Sequence, residues 1–326
     1  MICDRIDFDS SNYSYLNPQY VLRLKNVYLA ANGIVLNEDF EPIWEALQFA
    51  GFNPSDKNSN AEKKRHQELI HNIQYYKNNE VIELGDRDYV YCLSRYNIYP
   101  YGHIMDHLQP LIKIDKLNLS DPVILKNQST SHCNEFQKHL KYFGYSDSMI
   151  IKFPEWKLHT DGTPNKLYKV KNLWYSSSAA QLARWDSDII AEVREKYPHF
   201  KSLPTKLYLS RGLDVKKRIF TNEAEVRKIL QGKGYEILSG GECLEIMITK
   251  FTNAESIVFY HGSMVKNILF SEAEPFIREF CSSVRKDYSF KDNAYSKGFK
   301  KYEQLMINTD KWFNTALDLS LLDDVP

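Results

Sequence analysis

Two groups of residues combine side-chain types and spacings that could do chemistry. The first is His103, Asp106 and His107, within Tyr101-Gly-His-Ile-Met-Asp-His-Leu108. At i, i+3 and i+4 they share one face of a helix, and its apolar stripe continues through Leu111, Ile112 and Ile114. A carboxylate oriented by an imidazole is a general base, worth roughly 10²–10⁴ in rate. His103 and His107 could also form a zinc pair, but Ile104 stands where the usual Glu follows the first His, and no third ligand is evident. A capping and salt-bridge cluster is the third reading. The second group lies between Thr205 and Phe280. There the apolar run Leu207-Tyr-Leu209 breaks at Ser210-Arg211-Gly212, and Ser256-Ile-Val-Phe-Tyr260 breaks at His261-Gly262-Ser263. Arg218 follows the first of these turns. Arg211 and Arg218 carry planar forks suited to phosphate oxygens. Ligands of open α/β sheets sit outside the carboxyl ends of strands, and anions sit where a loop feeds a helix N-terminus. This group asks for a phosphate-bearing ligand. Its plainer readings are surface cations near a sheet edge, and a simple turn after a buried strand.

The elements that must position these groups can be read from periodicity. Residues 20–49 alternate apolar and polar, with Asn32-Gly33 as the turn of a hairpin. Strands are expected at 80–84, 88–93, 122–126 and 148–153, and a helix at 132–143 closed by Gly144. This alternation of strands and helices implies βαβ units and a parallel sheet. Residues 159–166 are turn-rich, and 186–197 read as a helix ending at Pro198. An interdomain linker is expected within 176–204, and a second α/β unit over 205–283, with a helix at 222–233. Asn222 and Glu223 fit an N-cap and a first-turn acid. Tyr302, Leu305, Met306, Trp312, Phe313 and Leu317 suggest a C-terminal helix packed back on the body. The resulting division is 1–190, 191–300 and a helix over 301–326.

Composition narrows the partners. Lys+Arg and Asp+Glu both number 42 in the 326 residues, so no bulk field favours nucleic acid, and a cationic site must be local. The five cysteines are scattered, odd in number and without a C-x-x-C, which indicates neither a zinc ribbon nor a disulfide framework. The start, Met1-Ile-Cys-Asp-Arg5, lacks the cationic and apolar regions of a signal peptide, and no apolar run approaches about 18 residues. The expectation is a cytoplasmic protein.

Three blocks in order resemble glycosyltransferase family sixty-one. They are Tyr101–Leu108, Leu207-Tyr-Leu-Ser-Arg-Gly212 continuing through Arg218 to Asn222-Glu223, and Tyr260-His-Gly-Ser-Met-Val-Lys-Asn-Ile-Leu-Phe270. The resemblance covers roughly residues 95–282. It implies the GT-B arrangement, two Rossmann-like domains facing across a cleft. It also implies inverting, metal-independent transfer from a nucleotide sugar, the donor being a substrate and no cofactor being needed. It puts His103 and Asp106 at the cleft, with Asp106 as base, and matches Ser210, Arg211, Arg218, Asn222, Glu223, His261, Gly262 and Asn267 to family positions.

Two departures stand out. The family usually has three residues between the His and the acid, where this chain has Ile104 and Met105. Its third block normally reads His-Gly-Ala-Gly-Leu-Thr-Asn. Here Ser263, Met264 and Lys266 replace Ala, the second Gly and Thr. Met264 would hinder close backbone approach to a phosphate, while Lys266 would supply charge. With Arg211, Arg218, His261, Gly262, Ser263, Lys266, Asn267 and His107 as binding residues, the expected function is sugar transfer to a hydroxyl of a glycan or lipid-linked saccharide. The expected process is capsule or lipopolysaccharide biosynthesis at the inner face of a membrane, to which the protein would bind peripherally. The alternatives are a GT-B-like binding or scaffold protein without chemistry, for which Met264 argues, and a nucleotide-sugar epimerase.

Overall fold

The computed structural model describes residues 2–8, 19–30, 34–46, 80–92, 111–127, 133–146, 149–153, 167–176, 191–192, 194–197, 205–211, 216–239, 242, 244–284 and 289–326. His103, Asp106 and His107 lie outside the described residues, as do the turns expected at 32–33 and 159–166. The chain divides into two compact units, one of residues 1–97 and 105–182, the other of 98–104 and 183–326. Both are α/β and most of their strand pairings are parallel.

The first unit is built on one mixed sheet. Its strands are β1 (Ile2–Phe8), β2 (Gln19–Ala30), β3 (Val35–Leu36), β4 (Val81–Glu83), β5 (Asp88–Cys92), β6 (Val123–Asn127), β7 (Ile150–Phe153) and β8 (Leu167–Ser176). The order is β1-β2-β8-β5-β6-β7, with β3 on β2 and β4 on β8. Strands β8, β5, β6 and β7 run parallel, whereas β1, β2 and β8 are antiparallel and β3 pairs antiparallel with β2. The expected hairpin is present, with Tyr28 opposite Leu36. Helix α1 (Cys133–Tyr142) ends at Gly144, whose φ of 81° a residue with a Cβ rarely adopts.

Two strands of this unit were not legible in the sequence. Strand β8 is central, with Leu167, Val170, Leu173 and Tyr175 fully buried, but Lys169 and Lys171 interrupt the apolar pattern. Their heads reach Glu83 and Asp86, at 3.9 and 3.2 Å. Strand β1 is an exposed edge whose charges guard it against further pairing, with Arg5 bonded to Asp7 and stacked over Tyr20.

The second unit carries a five-stranded sheet in which every pairing is parallel. Its strands are β9 (Thr205–Leu209), β10 (Tyr235–Leu238), β11 (Ala254–Tyr260), β12 (Phe276–Ser282) and β13 (Tyr302–Ile307), in the order β10-β9-β11-β12-β13. This is the 2-1-3-4-5 order of a doubly wound sheet. Helix α2 (Glu223–Gly232) buries Val226 and Leu230 on one face, in a core with Tyr208, Phe220, Val258, Tyr260 and Phe280. Helices α3 (Leu244–Thr252) and α4 (Ser289–Ser296) pack with the 3-10 helix Ser263–Phe270. The near-continuous burial of Ile257–Tyr260 is what a parallel strand covered on both sides requires.

The C-terminal helix expected over 301–326 does not form. Residues 302–307 are β13, and a turn region then leads to a 3-10 helix at Leu319–Leu322. The i, i+3 spacing of Tyr302 and Leu305 suggested a helix. Hydrogen bonding to β12 decides the matter, and within β13 buried Tyr302 is followed by exposed Glu303. The end of the chain does pack back, as an irregular strap. Leu317, Leu322 and Val325 join the α2-side core. Arg278 donates to Glu303, Asp324 and the Leu321 carbonyl, while Lys233 Nζ donates to the carbonyls of Asp323 and Val325.

Candidate functional site

Strands β9 and β11 are neighbours, but the connections leaving them go to opposite sides of the sheet. The first leads to β10, beyond β9, and the second to β12, beyond β11. The strands therefore diverge to form a crevice at their carboxyl ends, where such sheets bind ligands. Leu209 stands opposite Phe259 in the register, so the two turns read from the sequence, Ser210-Arg211 and His261-Gly262, meet there. Arg211 Nη1 donates to the His261 carbonyl at 3.3 Å.

Arg211 is the centre of this site. Among the described residues no carboxylate pairs with it, and its buried Nε has no hydrogen-bond partner. Burial, reinforced by repulsion from Arg218, holds its pKa down to about 10. A semi-buried guanidinium beside a second one is an arrangement that an anion would relieve. Arg211 also lines two cavities. One, of about 210 Å³, includes Ser210, Ser239, Gly262, Ser263 and Met264. The other, of about 230 Å³, includes Arg218, Phe220, Thr221 and Tyr260.

Each neighbour is fixed by a specific contact. Ser210 is 1% exposed, and its Oγ donates to Glu223 Oε1 at 2.7 Å. Glu223 also accepts from Tyr208 OH at 2.6 Å and Arg227 Nε at 3.1 Å, and Arg227 Nη2 donates to Ser210 Oγ. Glu223 is thus the first-turn acid expected, and it additionally ties the start of α2 to the end of β9. Asn222 does occupy the N-cap position, but its side chain makes no cap bond. It clamps the backbone of Leu317 instead, donating to the carbonyl at 3.0 Å and accepting from the N–H at 2.8 Å. Arg218 adopts φ 56°, a left-handed conformation that is uncommon away from glycine and frequent at functional sites.

Gly262 lies close against Arg211. Its φ of −168° is ordinary extended backbone, but a Cβ there would stand 3.0 Å from Arg211 Nη1. Ser263 and Met264 face the smaller cavity at the start of the 3-10 helix. Lys266 and Asn267 are buried within that helix, at 5% and 1% exposure. Asn267 Nδ2 donates to the Met264 carbonyl at 2.8 Å and so fixes the turn that presents Ser263 and Met264.

The imidazole of His261 is 4% exposed and stacks on Phe290. Its Nδ1 lies 2.6 Å from Glu279 Oε1, so Nδ1 is the donor and Nε2 the acceptor in the neutral ring. Glu279 was not anticipated from the sequence. It is fully buried, and its other oxygen accepts from Tyr302 OH and Gln304 Nε2, at 2.9 and 2.7 Å. An Arg-Glu pair inside the apolar run Phe276–Phe280 was the available signal, because buried charges must be partnered. His261, Glu279 and Cys281 also form a set whose potential metal-ligating atoms lie within 4.8 Å of one another. The three donors already on Glu279 give that set the chemistry of a hydrogen-bonded imidazole–carboxylate pair.

Among the described residues no helix is long and apolar enough to cross a membrane. A family model described as Glycosyltransferase 61 matches residues 101–275, more than half of the 326-residue chain. No curated protein matches the chain.

Proposed function

The chain belongs to glycosyltransferase family 61 and is a glycosyltransferase that uses a nucleotide-sugar donor and a glycan acceptor, and we propose that it works by inversion and without a metal ion. The observation that carries this reading is Arg211, held without a carboxylate partner among the described residues at the switch point between β9 and β11. The donor diphosphate lies against it. Arg211 and Arg218 meet the charge that develops on the departing nucleoside diphosphate, the part a cation takes elsewhere. The N–H groups of the Gly262-Ser263 turn assist them.

Asp106, assisted by His103, deprotonates the acceptor hydroxyl, and that oxygen attacks the anomeric carbon on the face opposite the leaving group. The two units act as the halves of a GT-B enzyme, and His107 belongs to the acceptor side. The acceptor is a glycan or lipid-linked saccharide of a bacterial capsule or lipopolysaccharide. The enzyme works in the cytoplasm at the inner face of the membrane, transferring a hexosyl or pentosyl group. Support for these finer points comes from the order of the three sequence blocks and from the cationic crevice.

The test is a transfer assay with a panel of nucleotide sugars and saccharide acceptors, run with and without excess EDTA. Transfer that persists in chelator, with inverted anomeric configuration in the product, fits the proposal. Activity lost in EDTA and restored by one metal would overturn the metal-free mechanism and direct attention to His261, Glu279 and Cys281, or to His103 and His107. Epimerised or free sugar formed without acceptor would point to the epimerase reading, and binding without turnover to a scaffold.

A further inference from the structure

The family match ends at residue 275, yet the segment 310–317 makes a dense set of bonds to the loop that carries Arg218. Arg218 N donates to the Trp312 carbonyl at 3.2 Å. Asn314 reads the same loop twice, accepting from Ile219 N at 3.3 Å and donating to the Lys216 carbonyl at 3.2 Å. Thr315 exchanges backbone bonds with Ile219 and Thr221, at 3.2 and 2.8 Å. Tyr260, which lines both cavities, donates its hydroxyl to the Phe313 carbonyl. The segment is itself folded about Asp310, whose Oδ1 accepts from the N–H groups of Trp312 and Asn314 at 2.8 and 2.7 Å.

We infer that this C-terminal segment is a positioning element of the donor site, and that Asn314 is a positioning residue acting through Arg218. The inference rests on the proposed diphosphate site at Arg211 and Arg218. A residue other than glycine does not hold φ 56° by its own preference, so the surrounding bonds must hold it. Nearly all the bonds described to residues 216–221 from outside the loop come from 312–315. The segment thus braces the loop that places Arg218 at the crevice. Asn314 acts on the loop itself, because its side-chain bonds to Ile219 and Lys216 both go to the loop backbone.

The experiment is a double-mutant cycle read by calorimetry, using whichever of UDP, GDP, CDP and dTDP the wild type binds most tightly. Asn314→Ala should weaken binding about tenfold as the loop loosens, with the modest drop in melting temperature that two lost hydrogen bonds bring. Arg218→Ala should weaken it at least as much. In the Arg218→Ala background, Asn314→Ala should add almost nothing, because its effect passes through the missing guanidinium. A conservative Asn314→Asp variant, which keeps the acceptor for Ile219 N, should bind better than Asn314→Ala.

Equal losses in the two backgrounds, or no loss from Asn314→Ala in either, would overturn the inference while leaving the site intact, provided Arg211→Ala still abolishes binding. If Arg211→Ala binds as well as wild type, or no diphosphate binds at all, the site reading itself fails and the inference with it.

Discussion

Arg211→Gln should make the protein more stable while removing its donor affinity. The folded protein holds the Arg211 guanidinium at a pKa of about 10, against 12.5 for an ordinary arginine, chiefly through burial. Folding therefore disfavours the charged form. The penalty is fully present below about pH 10 and fades as pH rises from there toward 12.5, so it operates in full at pH 7. At about 1.36 kcal/mol per pH unit the displacement amounts to ~3 kcal/mol. The side chain keeps some solvent and one bond to the His261 carbonyl, so ~1–2 kcal/mol is the realistic cost. A neutral glutamine of similar reach escapes it. Thermal melting at pH 7 should show the variant about 2–4 °C above wild type. Adding a nucleoside diphosphate should raise the wild-type midpoint and leave the variant unmoved. A variant that melts well below wild type would refute the reasoning, because Arg211 would then be a structural cation that stabilises the fold.

The remaining expectations concern its neighbours. Gly262→Ala places a Cβ 3.0 Å from Arg211 Nη1, so the guanidinium must shift by a few tenths of an ångström; donor affinity by calorimetry should fall about three- to tenfold with an unchanged melting point. Glu223→Ala removes the acceptor for Tyr208, Ser210 and Arg227 and should cost about 2 kcal/mol in denaturant unfolding, with donor affinity falling as Ser210 loosens. Wild-type stability from that variant would mean the network is incidental. Asp106→Asn should lower the transfer rate by about 10² or more while donor binding persists. Near-normal turnover would remove Asp106 from the mechanism and move attention to His103 or His107.

The donor half was legible in the sequence because its signals are local. Apolar runs of parallel-strand length end abruptly at Ser210-Arg211 and His261-Gly262, and that was enough to place both at strand ends. What stayed hidden depends on contacts distant in the chain. Glu279 is silent until β11 and β12 pair and bring His261 to it. Asn222 looked like a cap because capping is the local use of asparagine, but residue 317, far along the chain, competes successfully for its side chain. Strand β8 was obscured by lysines whose acids, Glu83 and Asp86, lie many residues earlier on β4 and in the turn after it. The C-terminal strap was misread because its hydrophobic spacing fits a helix, whereas the edge of β12 offered a ladder of hydrogen bonds that settled it as a strand.

The proposed transfer requires a diphosphate lying against Arg211 at the β9–β11 crevice. The direct measurement is calorimetric titration of UDP, GDP, CDP and dTDP into wild type, Arg211→Lys and Arg211→Ala, with EDTA present throughout. One of the four should bind the wild type. Arg211→Lys, which keeps the charge but loses the two-pronged fork, should bind it more weakly, and Arg211→Ala should show no measurable heat. Equal affinity for wild type and Arg211→Ala would contradict the account and place the donor elsewhere.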